Sequence, residues 1–307
     1  MRVAVVGVGH LGRHHARLLS GMAGVTLVGV VDARPERAAE IAAEFGTTAI
    51  ADWRTLPGAV DAVTIAAPTE AHEAIALPLI EQGVHVLVEK PMTRTLEEAD
   101  RLVAAAAARG VVVAVGHTER FNPAVAVARP LVRTPRFIEV HRLGTFPDRS
   151  LDIDVVFDLM IHDLDLVLDL VRQPVETIEA VGVPVLTPRI DIANVRLRFE
   201  GGCIVNLTAS RISRDRVRKI RFFQQDVYLS IDYAAQEVET WRLVRGQAPM
   251  PAIEGGKLDV PRQEPLALEL ADFVAAIREG RAPGVPGEDG RRALALAQRI
   301  VAKMDMV

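Results

Sequence analysis

The apolar run Val3 to Val6 leads straight into Gly7-x-Gly9-x-x-Gly12, and a helical pattern follows it. A second apolar run, VTLVGVVD, ends at Asp32, 20 positions beyond the last glycine. Strand, glycine turn, helix, strand and acid in that order open a dinucleotide-binding βαβ unit. Each position has a physical task. Gly7 permits the tight turn, Gly9 lets the backbone approach a pyrophosphate, and Gly12 lets helix and strand pack closely. The free N–H groups of the helix start, with His10 and Leu11 on its first turn, then face the phosphates. Asp32 is placed to accept hydrogen bonds from the adenosine ribose and to repel a 2′-phosphate, which favours NAD over NADP. Arg34 and Arg37 follow closely and soften that preference.

The alternation continues. Pro35 is placed to start a helix that closes at Gly46. DAVTIAAP reads as a buried strand, and Thr69 is placed to cap the helix that runs to Gly83. VHVLVEKP is the next strand, a helix from Leu96 to Arg109 stops at Gly110, and VVVAVGH ends at His117. Strands alternating with helices of this length predict an α/β fold that begins with a Rossmann-type, doubly wound parallel sheet. Ligands of such sheets sit beyond the carboxyl ends of the strands. Gly7, Asp32, Pro68-Thr69, Glu89-Lys90-Pro91 and Gly116-His117 fall at those ends.

Near residue 120 the pattern changes. Pro123 and Pro130 bracket a short helix, RFIEVHRLGTF is a strand, and a helix covers about Asp154 to Val171. TIEAVGVPVL, ANVRLRFE, CIVNLTASRI, RKIRFFQ, VYLSIDY and EVETWRLV then follow without helices between them. Their period of two and the lack of helices between them predict an antiparallel sheet. Helices near Pro265 to Glu279 and Gly287 to Met304 finish the chain. The expected domains are 1–120, for the dinucleotide, and 121–307.

Composition narrows the partners. A net charge of −4 offers no basic stripe for nucleic acid. The apolar runs fall short of a membrane span. Cys203 is the sole cysteine, so no internal disulfide forms, which fits a reducing cytoplasm. The chain opens on a core strand, which leaves no room for a signal peptide. The histidines show no metal-ligand spacing.

Two segments carry chemistry. Lys90, at a strand end beside the expected cofactor, can donate to a substrate oxygen or hold a nearby base. In FDLMIHDLDL, residues four apart share a helix face, so Asp154, Asp158, His162 and Asp165 form a polar stripe. An aspartate one turn from a histidine orients the imidazole and raises its basicity. A buried histidine satisfied by its neighbour remains the alternative. His117, Arg120 and Asn122, in GHTERFNPA, sit at the domain junction and are candidate substrate contacts. Arg120, Arg142, Arg149, Arg211 and Arg214 are candidate clamps for an anionic group or, singly, surface charges. His72 is placed either beside the nicotinamide or on a helix surface.

Taken together, Gly7-x-Gly9-x-x-Gly12-x-x-His15, Pro68-Thr69-x-x-His72, Glu89-Lys90-Pro91 and Asp158-x-x-x-His162 resemble the Gfo/Idh/MocA family over nearly the whole chain. The resemblance implies that 1–120 is a Rossmann domain and that 121–307 is a substrate-binding and oligomerisation domain, an α+β unit with a large open, mostly antiparallel sheet. It implies nicotinamide-dependent chemistry at a sugar or cyclitol carbon, and a homodimer or homotetramer built on the C-terminal sheet. It implies that Lys90 contacts the reacting hydroxyl, that His162 is the general acid/base, and that Asp158 partners the substrate or the histidine. The motif residues Pro68, Thr69, His72, Glu89 and Lys90 would line the cofactor. GHTERFNPA with DVVFDLMIHDLDLVLDL resembles the branch that holds UDP-N-acetylglucosamine 3-dehydrogenases, whose 3-keto product leads to an amino sugar of lipid A. Two other readings remain: a free cyclitol or monosaccharide dehydrogenase, and a non-catalytic NAD-binding regulator. Asp152-Ile153-Asp154-Val155-Val156 departs from the glycine-rich approach usual in the family.

Overall fold

A computed structural model describes residues 1–146, 153–245 and 252–306. The chain divides into two compact units, Met1–Thr118 with Glu264–Leu294, and Glu119–Gln263 with the residues from Ala295 onward.

The first unit is a six-stranded parallel sheet. Its strands are β1 (Arg2–Val6), β2 (Thr26–Val31), β3 (Thr48–Ala49), β4 (Ala62–Ile65), β5 (His85–Glu89) and β6 (Val113–Gly116). Helices α1 (His10–Ser20), α2 (Pro35–Phe45), α3 (Thr69–Glu81) and α4 (Leu96–Arg109) connect them. The order is β3-β2-β1-β4-β5-β6, so the winding reverses between β1 and β4, where ligands of doubly wound sheets bind. The central strands are buried on both faces, as their unbroken Val and Ile runs require. Pro35 opens α2 and Gly46 closes it in the left-handed conformation, as the sequence predicts. Thr95 and Glu98 form a reciprocal capping box on α4, and Gly110 ends it.

The second unit begins with α5 (Pro123–Ala128), β7 (Pro135–Leu143) and α6 (Ile161–Val171). Its remaining strands are β8 (Val175–Val183), β9 (Ile192–Phe199), β10 (Ile204–Ser210), β11 (Val217–Gln224), β12 (Val227–Asp232), β13 (Glu237–Val244) and β14 (Ala252–Lys257). The chain ends with two helices, α7 (Pro265–Glu279) and α8 (Gly287–Ala302), and a last strand, β15 (Met304–Met306); α7 and the first half of α8 belong to the first unit. The nine-stranded sheet runs β14-β13-β12-β11-β7-β10-β9-β8-β15, antiparallel except at β7/β10 and β8/β15. Along β9, buried residues alternate with exposed ones, so one face is core and the other is open.

Three features escape the sequence pattern. α7 returns to the first unit, where Leu270 and Phe273 join Val3, Val5, Val30 and Leu87 in one core. The reading that placed everything after residue 120 in a second domain has no signal for this return, because an amphipathic stripe does not name the sheet it covers. The last helix stops at Ala302, and Met304 begins a strand instead. β14, AIEGGK, lacks the apolar alternation of its neighbours and is held as an edge by main-chain pairing with β13. Among the described residues no helix is long and apolar enough to cross a membrane.

Candidate active site

The glycine loop follows β1. Gly7 has φ +84°, and a Cβ there would lie 2.5 Å from the Ala67 nitrogen. A Cβ on Gly12 would lie 1.7 Å from the Gly7 carbonyl oxygen, so turn and helix meet backbone to backbone. A Cβ on Gly9 would meet nothing within 4 Å. The open side of the loop is therefore at Gly9. No acidic residue occupies the first turn of α1, so its N-terminal dipole favours an anion. His10 is exposed and stacks edge-on to His14 at 5.4 Å, and Leu11 is 39% exposed.

Asp32 shapes this loop from the end of β2. Its Oδ2 accepts the Val8 N–H at 2.9 Å and its Oδ1 accepts the Arg34 N–H at 3.0 Å. Arg37 braces the loop by donating to the carbonyls of Val8 (2.8 Å) and Gly9 (3.4 Å). The Arg34 side chain is 70% exposed, with Nε 3.6 Å from the Asp32 carboxylate. Open backbone at Gly9, a glycine-tight helix start and an acid at the second strand end together fit a dinucleotide.

The second strand-end cluster surrounds Lys90. Glu89 closes β5 with its carboxylate buried. Its Oε1 is 3.0 Å from His15 Nε2, and its Oε2 accepts the Lys90 N–H at 3.2 Å. Burial pushes the Glu89 pKa up, but the His15 bond and the charges of His15 and Lys90 outweigh it and hold the carboxyl below the usual range. Gly116 makes room, since a Cβ there would lie 2.8 Å from Glu89 Oε2. Lys90 is half-buried, and its bond to Pro91 is cis. His72 is fully buried, with Nδ1 3.0 Å from the Pro91 oxygen and Nε2 2.8 Å from the Ala67 oxygen. Burial lowers its pKa against those carbonyls. Pro68, not Thr69, is the N-cap residue of α3; Thr69 lies inside the first turn and makes no cap. The chain has thirty-two arginines and four lysines, Lys90, Lys219, Lys257 and Lys303, so a lysine at this strand end stands out in the composition.

In the second unit a π-helical turn, Val156–Met160, carries Asp158 and runs into α6, which carries His162. Both side chains are half-buried. Such wide turns recur at functional sites because they re-aim side chains. Two members of the predicted stripe are engaged elsewhere. Asp154 accepts the Ile190 N–H at 3.1 Å, and Asp165 is gripped by Arg120 at 2.7 and 2.9 Å.

Of the arginines read as clamps, Arg120, Arg142 and Arg211 have internal partners, while Arg214 is exposed. Arg120 also meets Asp169 at 3.0 Å. Arg142 donates to Asp163 at 2.6 and 2.9 Å and to Glu119 at 3.1 Å. Arg211 donates to Asp191 (2.8 Å) and to the Ile153 carbonyl (2.6 Å). Asn122 caps α5 through the Ala124 N–H (3.1 Å) and donates to the Tyr233 carbonyl (3.1 Å). His117 is buried directly after β6, and Thr118 donates to the buried Glu269 of α7 at 3.1 Å. Arg149 lies outside the described residues. The carboxylates Asp163, Asp191 and Glu269 were invisible to sequence reasoning because their partners are distant in the chain.

A family described as "Oxidoreductase family, NAD-binding Rossmann fold" matches residues 1–117, and the "GFO/IDH/MocA C-terminal domain" matches residues 133–226. The chain is 41% identical over 302 residues to UDP-N-acetylglucosamine 3-dehydrogenase of Acidithiobacillus ferrooxidans, covering 98% of this chain and 96% of that one. The chain belongs to the Gfo/Idh/MocA family. A solved structure of that 3-dehydrogenase, 40% identical, superposes with a TM-score of 0.92 over 99% of this chain and 97% of the other. The scyllo-inositol 2-dehydrogenase (NAD(+)) of Bacillus subtilis is 26% identical over 94% of this chain and 90% of its own length. Levoglucosan dehydrogenase in complex with NADH and levoglucosan shares the fold, with a TM-score of 0.88 at 21% identity, over 99% of this chain and 96% of that one. This Gfo/Idh/MocA chain is thus an oxidoreductase with an NAD-binding Rossmann domain.

Proposed function

We propose that the protein is a UDP-N-acetylglucosamine 3-dehydrogenase, oxidising the C3 hydroxyl to a ketone with NAD. The observation that carries this reading is 41% identity to a 3-dehydrogenase of that substrate along 98% of the chain, far above the 26% shared with an inositol dehydrogenase. When bound, NAD supplies the acceptor for the hydride that leaves C3. Gly7, Gly9, His10, Leu11 and Gly12 hold its pyrophosphate, and Asp32 with Arg34 receives its adenosine ribose. Pro68, Thr69 and the Glu89-Lys90 strand end line its other half, with His72 acting behind them through backbone.

His162 takes the C3 hydroxyl proton, and Asp158 orients the imidazole or the sugar. Lys90 donates to the hydroxyl oxygen and stabilises the charge that grows there. His117 and Arg149 are the remaining substrate contacts. Arg120 and Asn122 act through the segments they fix, because their polar atoms are taken by Asp165, Asp169 and main chain. The proposal includes a cytoplasmic homodimer or homotetramer. The half-exposed aromatics Phe223 and Trp241 on the open sheet support self-association. A place in lipid A synthesis depends on the substrate assignment.

Mass spectrometry of the product tests the regiochemistry. Borodeuteride quenching is expected to place one deuterium at C3 of the sugar. Deuterium at another carbon would overturn the assignment.

A further inference from the structure

Two histidines hold the Lys90 turn, one from each side, and the proposed reaction gives neither a proton-transfer or substrate-contact role. His15, on α1, is fully buried and touches Glu89 Oε1 at 3.0 Å. Its Nδ1 has no hydrogen-bond partner among the described residues, so Glu89 is the polar contact of that ring. His72, on α3, is fully buried and faces the Pro91 oxygen at 3.0 Å and the Ala67 oxygen at 2.8 Å. The residues they grip, Glu89 and Pro91, are the two chain neighbours of Lys90. The structure assigns His15 and His72 as positioning residues for Lys90, an inference that rests on Lys90 acting at the reacting hydroxyl.

The bland reading is that both are core histidines that happen to be satisfied. The geometry argues otherwise. A neutral imidazole has one N–H donor, so His72 can make only one full hydrogen bond to its two carbonyls. A leucine or phenylalanine would fill either site without burying a polar ring. The polar contacts also have a shared direction. His15 ties the Lys90 turn to the helix that starts at the glycine loop. His72 is wedged between the Pro91 and Ala67 carbonyls and so spaces the turn from Ala67, whose nitrogen would be 2.5 Å from a Cβ on Gly7. The turn is therefore registered against both sides of the dinucleotide loop, which fixes where Lys90 emerges relative to that loop.

The test uses four variants: His15→Phe, His15→Gln, His72→Phe and His72→Gln. Phenylalanine fills the volume without donating, whereas glutamine restores an N–H. The first readout needs no substrate. Reductive methylation with formaldehyde and cyanoborohydride is followed by peptide mass spectrometry, with Lys219, Lys257 and Lys303 as internal references. The second readout is kcat with UDP-N-acetylglucosamine, beside NADH binding by fluorescence.

The Phe variants are expected to bind NADH, to label Lys90 severalfold faster than wild type relative to the other lysines, and to lose about 100-fold in kcat, as a misplacement near 1 Å does. The Gln variants recover most of both readouts. Wild-type labelling in the Phe variants overturns the inference, as does equal acceleration at all four lysines. If wild type does not turn over this sugar, the substrate assignment fails while the labelling contrast still decides the positioning role.

Discussion

Arg211 and Asp191 form a 2.8 Å ion pair in which the side chains are 1% and 0% exposed. Asp191 also accepts the N–H groups of Val185, Leu186 and Thr187 at 2.9, 2.6 and 2.8 Å. Arg211 reaches past it to the Ile153 carbonyl, just ahead of the π turn that carries Asp158. A buried charge pair is rarely a cheap source of stability, but removing one partner leaves the other charge stranded, at a cost of about 3–5 kcal/mol. Arg211→Met is therefore expected to lower stability by that order in chemical denaturation, and Arg211→Lys by less. An Arg211→Met protein of wild-type stability would refute the pairing.

The same cluster sets an acid limit. Burial alone would raise the Asp191 pKa, but the backbone N–H groups, Arg211 and the Thr187 hydroxyl outweigh it and hold the carboxyl far below the usual range. Its folded pKa is depressed. Its contribution is therefore full above the unfolded value of about 3.9 and is lost as pH falls from there toward the folded value. The gap in Tm between wild type and Asp191→Asn should narrow as pH drops below about 4. A gap that stays constant across the acid range contradicts this.

The glycine loop separates folding from binding. Gly12→Ala puts a methyl group into the Gly7 carbonyl and should lower Tm and abolish NADH binding together. Gly9→Ala meets no protein atom, so Tm should hold while NADH affinity falls at least tenfold, equivalent to about 1.4 kcal/mol. Thermal unfolding and fluorescence titration of both variants check the contrast. Equal behaviour would mean that Gly9 does not face the pyrophosphate.

Cofactor choice rests on Asp32 against Arg34. Replacing Asp32 with Ser removes the charge that repels a 2′-phosphate and leaves the exposed Arg34 near it. The ratio of kcat/KM for NADP over NAD is expected to rise by about tenfold or more, which is about 1.4 kcal/mol of changed discrimination. Adding Arg34→Ala should erase the gain. An unchanged ratio in Asp32→Ser would remove Asp32 from the ribose site.

Much of the fold is legible because its causes are local. Glycines at 46, 110 and 280 end helices where the chain must turn left-handed, and their positions alone give those boundaries. The parallel sheet is written in unbroken apolar strands, and the second sheet in alternating ones. The site is less legible. Lys90 and His162 stand out through motif, but the work of Arg120, Arg142 and Arg211 cannot be read from type or spacing. Each has carboxylate partners at least 20 residues away, so a side chain that looks like a free clamp is already neutralised. The π turn is hidden for a related reason. Helical spacing assumes 3.6 residues per turn and gives no sign that the turn carrying Asp158 is widened, nor that Asp154, just ahead of it, is taken by the backbone of Ile190.

The reading of a nucleotide-sugar dehydrogenase is tested most directly by substrate choice. Purified protein with NAD is offered UDP-N-acetylglucosamine, other UDP-sugars, free N-acetylglucosamine and inositols, with a carbonyl trap to pull the equilibrium, and reduced cofactor is followed by absorbance. The account predicts NADH from UDP-N-acetylglucosamine alone, abolished by Lys90→Ala and by His162→Ala while both variants still bind NADH. NADH formed only from inositols or free sugars, or no turnover of the UDP-sugar by protein that binds NADH, would contradict it.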